Sequence, residues 1–357
     1  MSKIRVLLIQ NYIAHYNLPI YNLLGDHSDI DLTIAHFGKN KSSGIQNFKE
    51  QILHYRKIGP VYFIDDRIFE IADKYEVVIA MSDIHFIQLM MLGRKRKRHY
   101  KLIYWGIGVS ASYKNKFDDK KKWDFLRYFF MRGADALLFY SDYPVVKYTK
   151  NGFLKEKLFV APNTVVVDRT LPQESNKNSI LFIGTLYKEK GIYELLEAYK
   201  KALVGVDRLP KLDIIGDGDE FNNIVSWIKK NNLSDNIILH GAIYNDHELE
   251  IFFNRSIATV SPNQAGLSVL KSMGFGVLFI TRFDSITGGE RFNIVNNESG
   301  IIYNNESELI NVLRDIEINK SKYELMGKNA ADFYQRSRLP EHMVKGFLDA
   351  IYYVTKK

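Results

Sequence analysis

Residues Ser179–Ala202 read SILFIGTLYKEKGIYELLEAYKKA. The apolar run Ile180–Ile183 spells a strand that ends at Gly184. A short basic loop then carries Lys188 and Lys190, and Gly191 opens a helix. Ile192, Leu195, Leu196 and Tyr199 recur at helical spacing and give that helix one apolar stripe. A strand running into a glycine-flanked helix start favours anions, because the first N–H groups lack intrahelical acceptors and the dipole is positive there. With lysines alongside, the segment suits a bound diphosphate, which makes the second half of the chain a nucleotide-binding candidate. The same pattern also describes an ordinary strand–helix turn with solvated lysines, common in α/β folds.

Outward from this segment, strands and helices alternate in both directions. In the first half, strands are expected over 4–9, 31–36, 61–64, 77–80, 102–105, 136–140 and 158–160, with helices over 18–24, 68–74, 86–92, 120–132 and 144–150. The second half continues with strands over 180–183, 211–215, 237–240, 257–260, 277–281 and 300–303. Its helices fall over 192–202, 221–231, 246–254, 268–274 and 306–318. A last helix around 341–354 has Met343, Phe347 and Ile351 at spacings of four. Such alternation implies parallel sheets covered on both faces. Proline and polar residues cluster over 161–179, so the expected plan is two α/β domains, 1–165 and 179–337, joined by a linker at 166–178. Two Rossmann-like domains then face across a cleft, where the carboxyl ends of the strands offer a binding site.

Composition bounds the chemistry. The 357 residues are 46% hydrophobic and 25% charged, and none is cysteine. Disulfides, thiolate metal sites and thiol nucleophiles are therefore excluded, in keeping with a reducing cytoplasm. The start, MSKIRVLLIQNY, has an apolar run too short for a signal peptide, and no run approaches the roughly 18 apolar residues of a spanning helix. The expected location is cytoplasmic. Net charge is +8, and all the excess lies early: residues 1–168 hold 26 Lys and Arg against 17 Asp and Glu, whereas 169–357 hold 23 against 24. Gly93–Lys101 and Lys114–Arg132 concentrate it, the second interleaved with Trp123, Phe125, Leu126, Phe129 and Phe130. Three readings stand: a peripheral contact with an anionic membrane surface, a nucleic-acid contact, or a helix with an aromatic core face and solvated lysines. The membrane surface is the expected partner, and nucleic acid is not.

Five segments, read in order, resemble the retaining glycosyltransferases of family 4, which have the GT-B fold. They are Ala161–Pro162–Asn163; Phe182–Ile183–Gly184 with Lys190–Gly191; Ile214–Ile215–Gly216–Asp217–Gly218; His240–Gly241–Ala242; and Val260–Ser261–Pro262 through Gly266–Leu267 to Ser272–Met273–Gly274–Phe275–Gly276. The resemblance implies transfer of a sugar, with retention, from a nucleoside-diphosphate donor to a hydroxyl of a glycan or lipid-linked acceptor, as in bacterial surface polysaccharide synthesis. It also implies that no metal or other cofactor is needed, and that a C-terminal helix (338–357) packs back toward the N-terminal domain. Lys190 would then face the diphosphate as leaving-group charge grows, a large contribution in such reactions. Gly184, Thr185, Gly216 and Gly218 would line the nucleotide, Ile243 and Tyr244 would lie along the base, and Gly266 and Leu267 would open a helix toward the phosphates.

Departures from the family pattern are specific. Many members carry two glutamates spaced Glu-x7-Glu; the corresponding residues here are Asn263 and Lys271, with Gln264 beside the first. Asn263 and Gln264 can still hydrogen-bond sugar hydroxyls, and Lys271 can reach ribose oxygens or a phosphate. Arginine is common where Thr185 stands, leaving Lys190 alone or with Arg282 on the diphosphate. Glu290, after Gly288–Gly289, is the carboxylate available toward the donor sugar, or else a surface glutamate. Ile107 stands where members often have a histidine. Asp83 and His85 follow a strand and form the acid–base pair of the first half, alternatively a capping Asp beside a structural His. Asn11, His15 and Tyr16 follow the first strand and line a site at most. Asp217–Gly218–Asp219 superficially resembles a divalent-metal Asp-x-Asp, but in a glycine loop no metal is expected. Three rival functions remain: a sugar-nucleotide epimerase, a catalytically inactive nucleotide-binding relative, and a nicotinamide oxidoreductase. The last is disfavoured because Gln10–Leu18 contains no glycine.

Overall fold

The structure, a computed structural model, describes residues 2–38, 44, 46–65, 67–113, 116–119, 123–171 and 177–356. The chain divides into two compact units. Unit 1 is Met1–Ser110, Asp118–Val166 and Arg338–Lys357, and unit 2 is Ala111–Phe117 and Val167–Ser337.

Unit 1 opens with β1 (Ile4–Gln10), α1 (Leu18–Gly25), β2 (Ile30–His36) and β3 (Lys49–Ile52). Next come β4 (Tyr55–Ile58), β5 (Val61–Ile64), α2 (Ile68–Ala72), β6 (Val77–Met81), α3 (Ile87–Met91) and β7 (Lys101–Gly106). The short strands β8 (Ala111–Ser112) and β9 (Lys116–Phe117) belong to unit 2. Unit 1 then resumes with α4 (Asp124–Met131), β10 (Ala136–Phe139), α5 (Asp142–Lys150) and β11 (Leu158–Val160). Seven strands make a parallel sheet in the order β11-β10-β7-β6-β1-β2-β3. Every residue of β6 is buried, as a strand covered on both faces requires.

Unit 2 contains β12 (Ser179–Ile183), α6 (Ile192–Ala202), β13 (Lys211–Ile215), α7 (Phe221–Lys230), β14 (Ile237–Leu239) and α8 (Asp246–Arg255). It continues with β15 (Ser256–Val260), α9 (Leu267–Gly274), β16 (Leu278–Arg282), β17 (Gly300–Tyr303), α10 (Glu306–Ile318) and α11 (Lys320–Ser337). Its parallel sheet runs β14-β13-β12-β15-β16-β17. Ile192, Leu195, Leu196 and Tyr199 of α6 are buried in its core as their spacing predicts. The hairpin β8–β9 is part of this unit: the Tyr113 and Tyr187 hydroxyls hydrogen-bond at 2.7 Å, and Lys116 pairs with Asp284 at 3.1 Å. The last helix, α12 (Pro340–Thr355), belongs to unit 1, where Met343, Phe347 and Ile351 are buried and the Phe347 ring meets Trp105 edge-on at 4.7 Å.

Three expectations need correction. Val61–Ile64 is a strand, but it pairs antiparallel with Tyr55–Ile58 in a separate hairpin and adds nothing to the parallel sheet. The helix expected over 120–132 is described as Asp124–Met131, while Lys114 and Lys120–Lys122 lie outside the described residues. Its aromatic residues also divide: Phe130 is buried, whereas Phe125 and Phe129 are 70% and 52% exposed. The 18-residue helix α11 had no counterpart in the reading of the sequence.

Candidate active site

In unit 2 the chain order reverses between β12 and β15, the neighbours at the centre of the sheet. The loops leaving their carboxyl ends diverge there, and that is where open α/β sheets take ligands. After β12 come Gly184 and the exposed Thr185, then a single tight turn over Lys188–Lys190, then Gly191 and α6. After β15 come Pro262, Asn263 and Gln264, then Gly266 at the start of α9. The Asn263 amide donates to the Lys190 carbonyl at 3.3 Å. Gly191 has φ +80°, and a Cβ there would stand 2.8 Å from Asn263 Nδ2 and 3.0 Å from Pro262 Cβ. A side chain at 191 would thus be strained and would push the two loops apart.

Lys190 folds back along its own loop, and its Nζ occupies the space a Cβ on Gly184 would need. Burial, with no opposing charge, pulls the Lys190 ammonium down to about 8. Among the described residues no carboxylate lies within ion-pair distance of it. Asn263 Oδ1 is likewise buried without a hydrogen-bond partner. The N-terminus of α9 has no side-chain cap, so its first N–H groups remain available to a ligand.

The neighbouring loops are held by backbone bonds. The Gly216 amide donates to the Gly241 carbonyl at 2.8 Å, and the Leu186 amide donates to Asp217 at 2.9 Å. Gly216 and Gly218 have φ +155° and +153°. Asp217 Oδ1 accepts from the Gly218 amide at 2.7 Å. Among the described residues no group of three or more His, Asp or Glu side chains is placed to hold a metal.

Lys190, Asn263, Gly184, Gln264, Gly266 and Leu267 are therefore brought to one rim. Others are engaged elsewhere. Lys271 pairs with Asp246, at the start of α8, at 2.5 Å. Arg282 is held by Glu194 at 2.8 Å and by Asp284 at 2.5 Å. Glu290 is 4% exposed and closes its own turn, accepting from the Gly288 amide at 2.7 Å and Thr287 Oγ1 at 3.1 Å. Ile243 is half-buried, and Tyr244 is 90% exposed.

In unit 1 the chain order reverses between β1 and β6. Asp83 Oδ1 accepts from both the backbone amide of His85, at 2.9 Å, and its ring Nδ1, at 2.6 Å. Both side chains line a cavity of about 540 Å³ with Asn11. His15 and Tyr16 meet edge-on at 5.5 Å. The other walls come from Phe37, Tyr55, Lys57 and Tyr62, none of which the sequence reading singled out. Gly59–Pro60 between the short runs Tyr55–Ile58 and Val61–Ile64 was the available hairpin signal.

Residues 167–333 match the family model of glycosyl transferases group 1. The matched residues all lie in unit 2. N-acetyl-alpha-D-glucosaminyl L-malate synthase of Bacillus anthracis is 23% identical over 212 residues, 57% of this chain and 53% of that protein. The match thus spans about half the length of that relative. Solved structures similar over the whole chain include the lipopolysaccharide outer core galactosyltransferase WaaB, with TM-score 0.70, 16% identity, and 99% of this chain and 100% of that chain covered. TarM aligns with TM-score 0.72, 11% identity and 98% and 99% coverage. Anabaena Alr3699/HepE, solved with UDP, aligns with TM-score 0.71, 12% identity and 97% and 99% coverage. At these identities the likeness establishes the fold, which is the two-Rossmann GT-B fold.

Proposed function

We propose that the chain is a glycosyltransferase that moves a sugar from a nucleoside-diphosphate donor to a hydroxyl of a glycan or lipid-linked acceptor. The observation that carries this reading is Lys190: a half-buried ammonium without a carboxylate partner among the described residues, beside the uncapped start of α9 and the unpartnered Oδ1 of Asn263. A cation held partly out of water is costly unless an anion joins it. A diphosphate supplies that anion, and its charge grows as the sugar leaves, so the Lys190 ammonium stabilises the departing group. Asn263 hydrogen-bonds the donor sugar in place of a carboxylate.

Retention of configuration and independence from metal ions belong to the same reading. Its support is the resemblance to family 4 together with a cation already provided by Lys190. The names of similar proteins, a lipopolysaccharide galactosyltransferase among them, support a place in surface polysaccharide assembly. No helix among the described residues is long and apolar enough to cross a membrane. A peripheral seat on an anionic bilayer is supported by the exposed Phe125 and Phe129, with the Arg94 guanidinium 3.5 Å from the Phe129 ring centre.

Thermal unfolding with UDP, GDP, ADP, dTDP and CMP, with and without magnesium, tests the donor site. Stabilisation by one diphosphate is expected, by about 2.7 kcal/mol at a hundredfold excess over Kd. Incubation with the matching nucleotide sugar and simple glycosides is then expected to give a new glycoside by mass spectrometry. No response to any nucleotide removes the reading. A response without turnover favours a binding-only relative, for which the Asn263 and Lys271 substitutions would be the cause.

A further inference from the structure

The hairpin β8–β9 carries side chains toward both ends of the turn that holds Lys190. Before the turn stands Tyr187, whose carbonyl accepts from the Lys190 amide at 3.1 Å and closes it. The Tyr187 hydroxyl pairs with that of Tyr113 at 2.7 Å, and the two rings meet edge-on at 5.8 Å. Lys190 Nζ lies 5.9 Å from the centre of the Tyr187 ring, at the outer limit of a cation–π contact. After the turn stands Glu194, in the first turn of α6. It accepts from Arg282 at 2.8 Å and from the Tyr303 hydroxyl at 2.8 Å. Arg282 also donates to Asp284 at 2.5 Å, and Asp284 pairs with Lys116 of β9 at 3.1 Å. Burial alone would raise the Asp284 carboxyl, yet the bonds from Arg282 and Lys116 outweigh it and hold it below its ordinary value.

The hairpin is itself held in place. The Asp118 amide donates to the Ser110 carbonyl at 2.7 Å and closes its base. The Asp118 carboxylate accepts from the Tyr143 hydroxyl at 2.7 Å and from Lys147 at 2.5 Å. The Phe117 ring meets Phe292 at 5.2 Å. Lys116 and Asp118 have φ +49° and +61°, a region that side chains seldom occupy unless surrounding contacts fix them there. The Lys190 turn, by contrast, has little of its own to set its shape. Gly184 and Gly191 flank it with φ +147° and +80°, which gives the chain freedom on either side. Its other side chains, Lys188 and Glu189, are exposed, and Lys188 reaches Glu220 only at 3.9 Å.

We propose that Tyr113 and Lys116 are positioning residues of the donor site: acting through Tyr187 and Glu194, they fasten the Lys190 turn at both ends and keep its ammonium folded back beside Gly184. The proposal rests on the diphosphate reading of that ammonium given above. Neither residue touches the diphosphate; each acts on the cation that does.

Carbon-13 NMR of the lysine side chains of the full chain tests this, with the Lys190 signal identified by its loss in Lys190→Met. In the wild type that signal is expected to titrate at about 8. Tyr113→Phe removes a hydroxyl and keeps the ring; Lys116→Met removes a charge and keeps the length. Each should release the ammonium to water and move the midpoint up toward the ordinary 10.5. Each should also weaken diphosphate binding about tenfold. Burial and the Tyr187 bond push the Tyr113 phenol well up, so its own titration stays clear of the measurement. Tyr187→Phe should match Tyr113→Phe, with the double variant adding nothing further, and Lys116→Arg should restore the wild-type midpoint. A merely structural tie would lower stability and leave the midpoint where it was. A midpoint unmoved in either variant therefore overturns the proposal for that residue. The nucleotide response separates the two ideas. Diphosphate binding with an unmoved midpoint removes the clasp alone; a moved midpoint without diphosphate binding keeps the clasp and removes the donor reading.

Discussion

The Asn263 amide donates to the carbonyl of Lys190 across 3.3 Å, stitching the loop after β12 to the loop after β15. The bond joins the two loops at the point where the sheet reverses its order. The half-buried Lys190 ammonium has no carboxylate near it among the described residues, and the buried Asn263 Oδ1 has no donor. Polar groups held out of water without partners oppose folding, and a ligand at this rim would relieve that cost.

Lys190→Met keeps the length of the side chain and removes the charge. The variant is expected to unfold at a higher temperature than the wild type without ligand, the gain being ~2 kcal/mol or less. It should lose the stabilisation by nucleoside diphosphate and fall about 10²- to 10³-fold in kcat/KM. Calorimetry with and without nucleotide checks both signs; an unchanged nucleotide response would end the assignment of Lys190 to the phosphates.

The same group sets a pH dependence. Burial holds Lys190 at about 8, below its ordinary 10.5, so the cation is complete below pH 8 and lost above it. Diphosphate affinity is expected to be flat below that point and to fall about tenfold per pH unit above it. Lys190→Met should show no such slope. Stability runs the other way: the unfolded chain holds the proton between pH 8 and 10.5 while the folded one releases it, so this residue's contribution rises with pH across that window. Titration calorimetry across the range reads the affinity, and urea unfolding reads the stability.

Gly191→Ala forces a side chain into φ +80° and against Asn263. A loss of about 1–3 kcal/mol is expected in urea unfolding. Weaker nucleotide binding should accompany it, because the substitution separates the two stitched loops. A variant as stable as the wild type would show that the loops yield without strain.

On α4, the double substitution of Phe125 and Phe129 by serine removes two exposed rings. Each change should alter stability by no more than about 0.5 kcal/mol, while sedimentation with phosphatidylglycerol vesicles should drop about tenfold or more. Equal sedimentation of both proteins would assign those rings another role.

The parallel sheets were legible because their strands are buried on both faces and so read as unbroken apolar runs, as in Val77–Met81. The glycine-marked loops around Lys190 and Asn263 were legible for a related reason, since few residues suit a tight strand–helix turn. What escaped was set by contacts distant in sequence. Tyr55–Ile58 is exposed along its length, so it lacks a strand's apolar face, and the cavity it walls went unread with it. Lys271 was expected at the ligand, yet its partner is Asp246 from another helix. Glu290 is the local exception: it was expected at the rim or on the surface, yet its buried carboxylate caps its own turn through Thr287 and Gly288. Helix α11 breaks its stripe with Gly327 and carries many polar residues, and its burial depends on neighbours α9, β15 and β16.

The assignment of α12 to the first unit bears on how the protein is made. The chain passes between units four times, and Arg338 is where it returns to complete the face of the first sheet around Trp105. Until a ribosome has passed the whole of Val167–Ser337 and made α12, that face lacks Phe347 and Ile351 and stays open to water or to a chaperone. Birth order and folding order therefore differ: unit 1, begun before unit 2, gains its last helix only after unit 2 already has all of its strands.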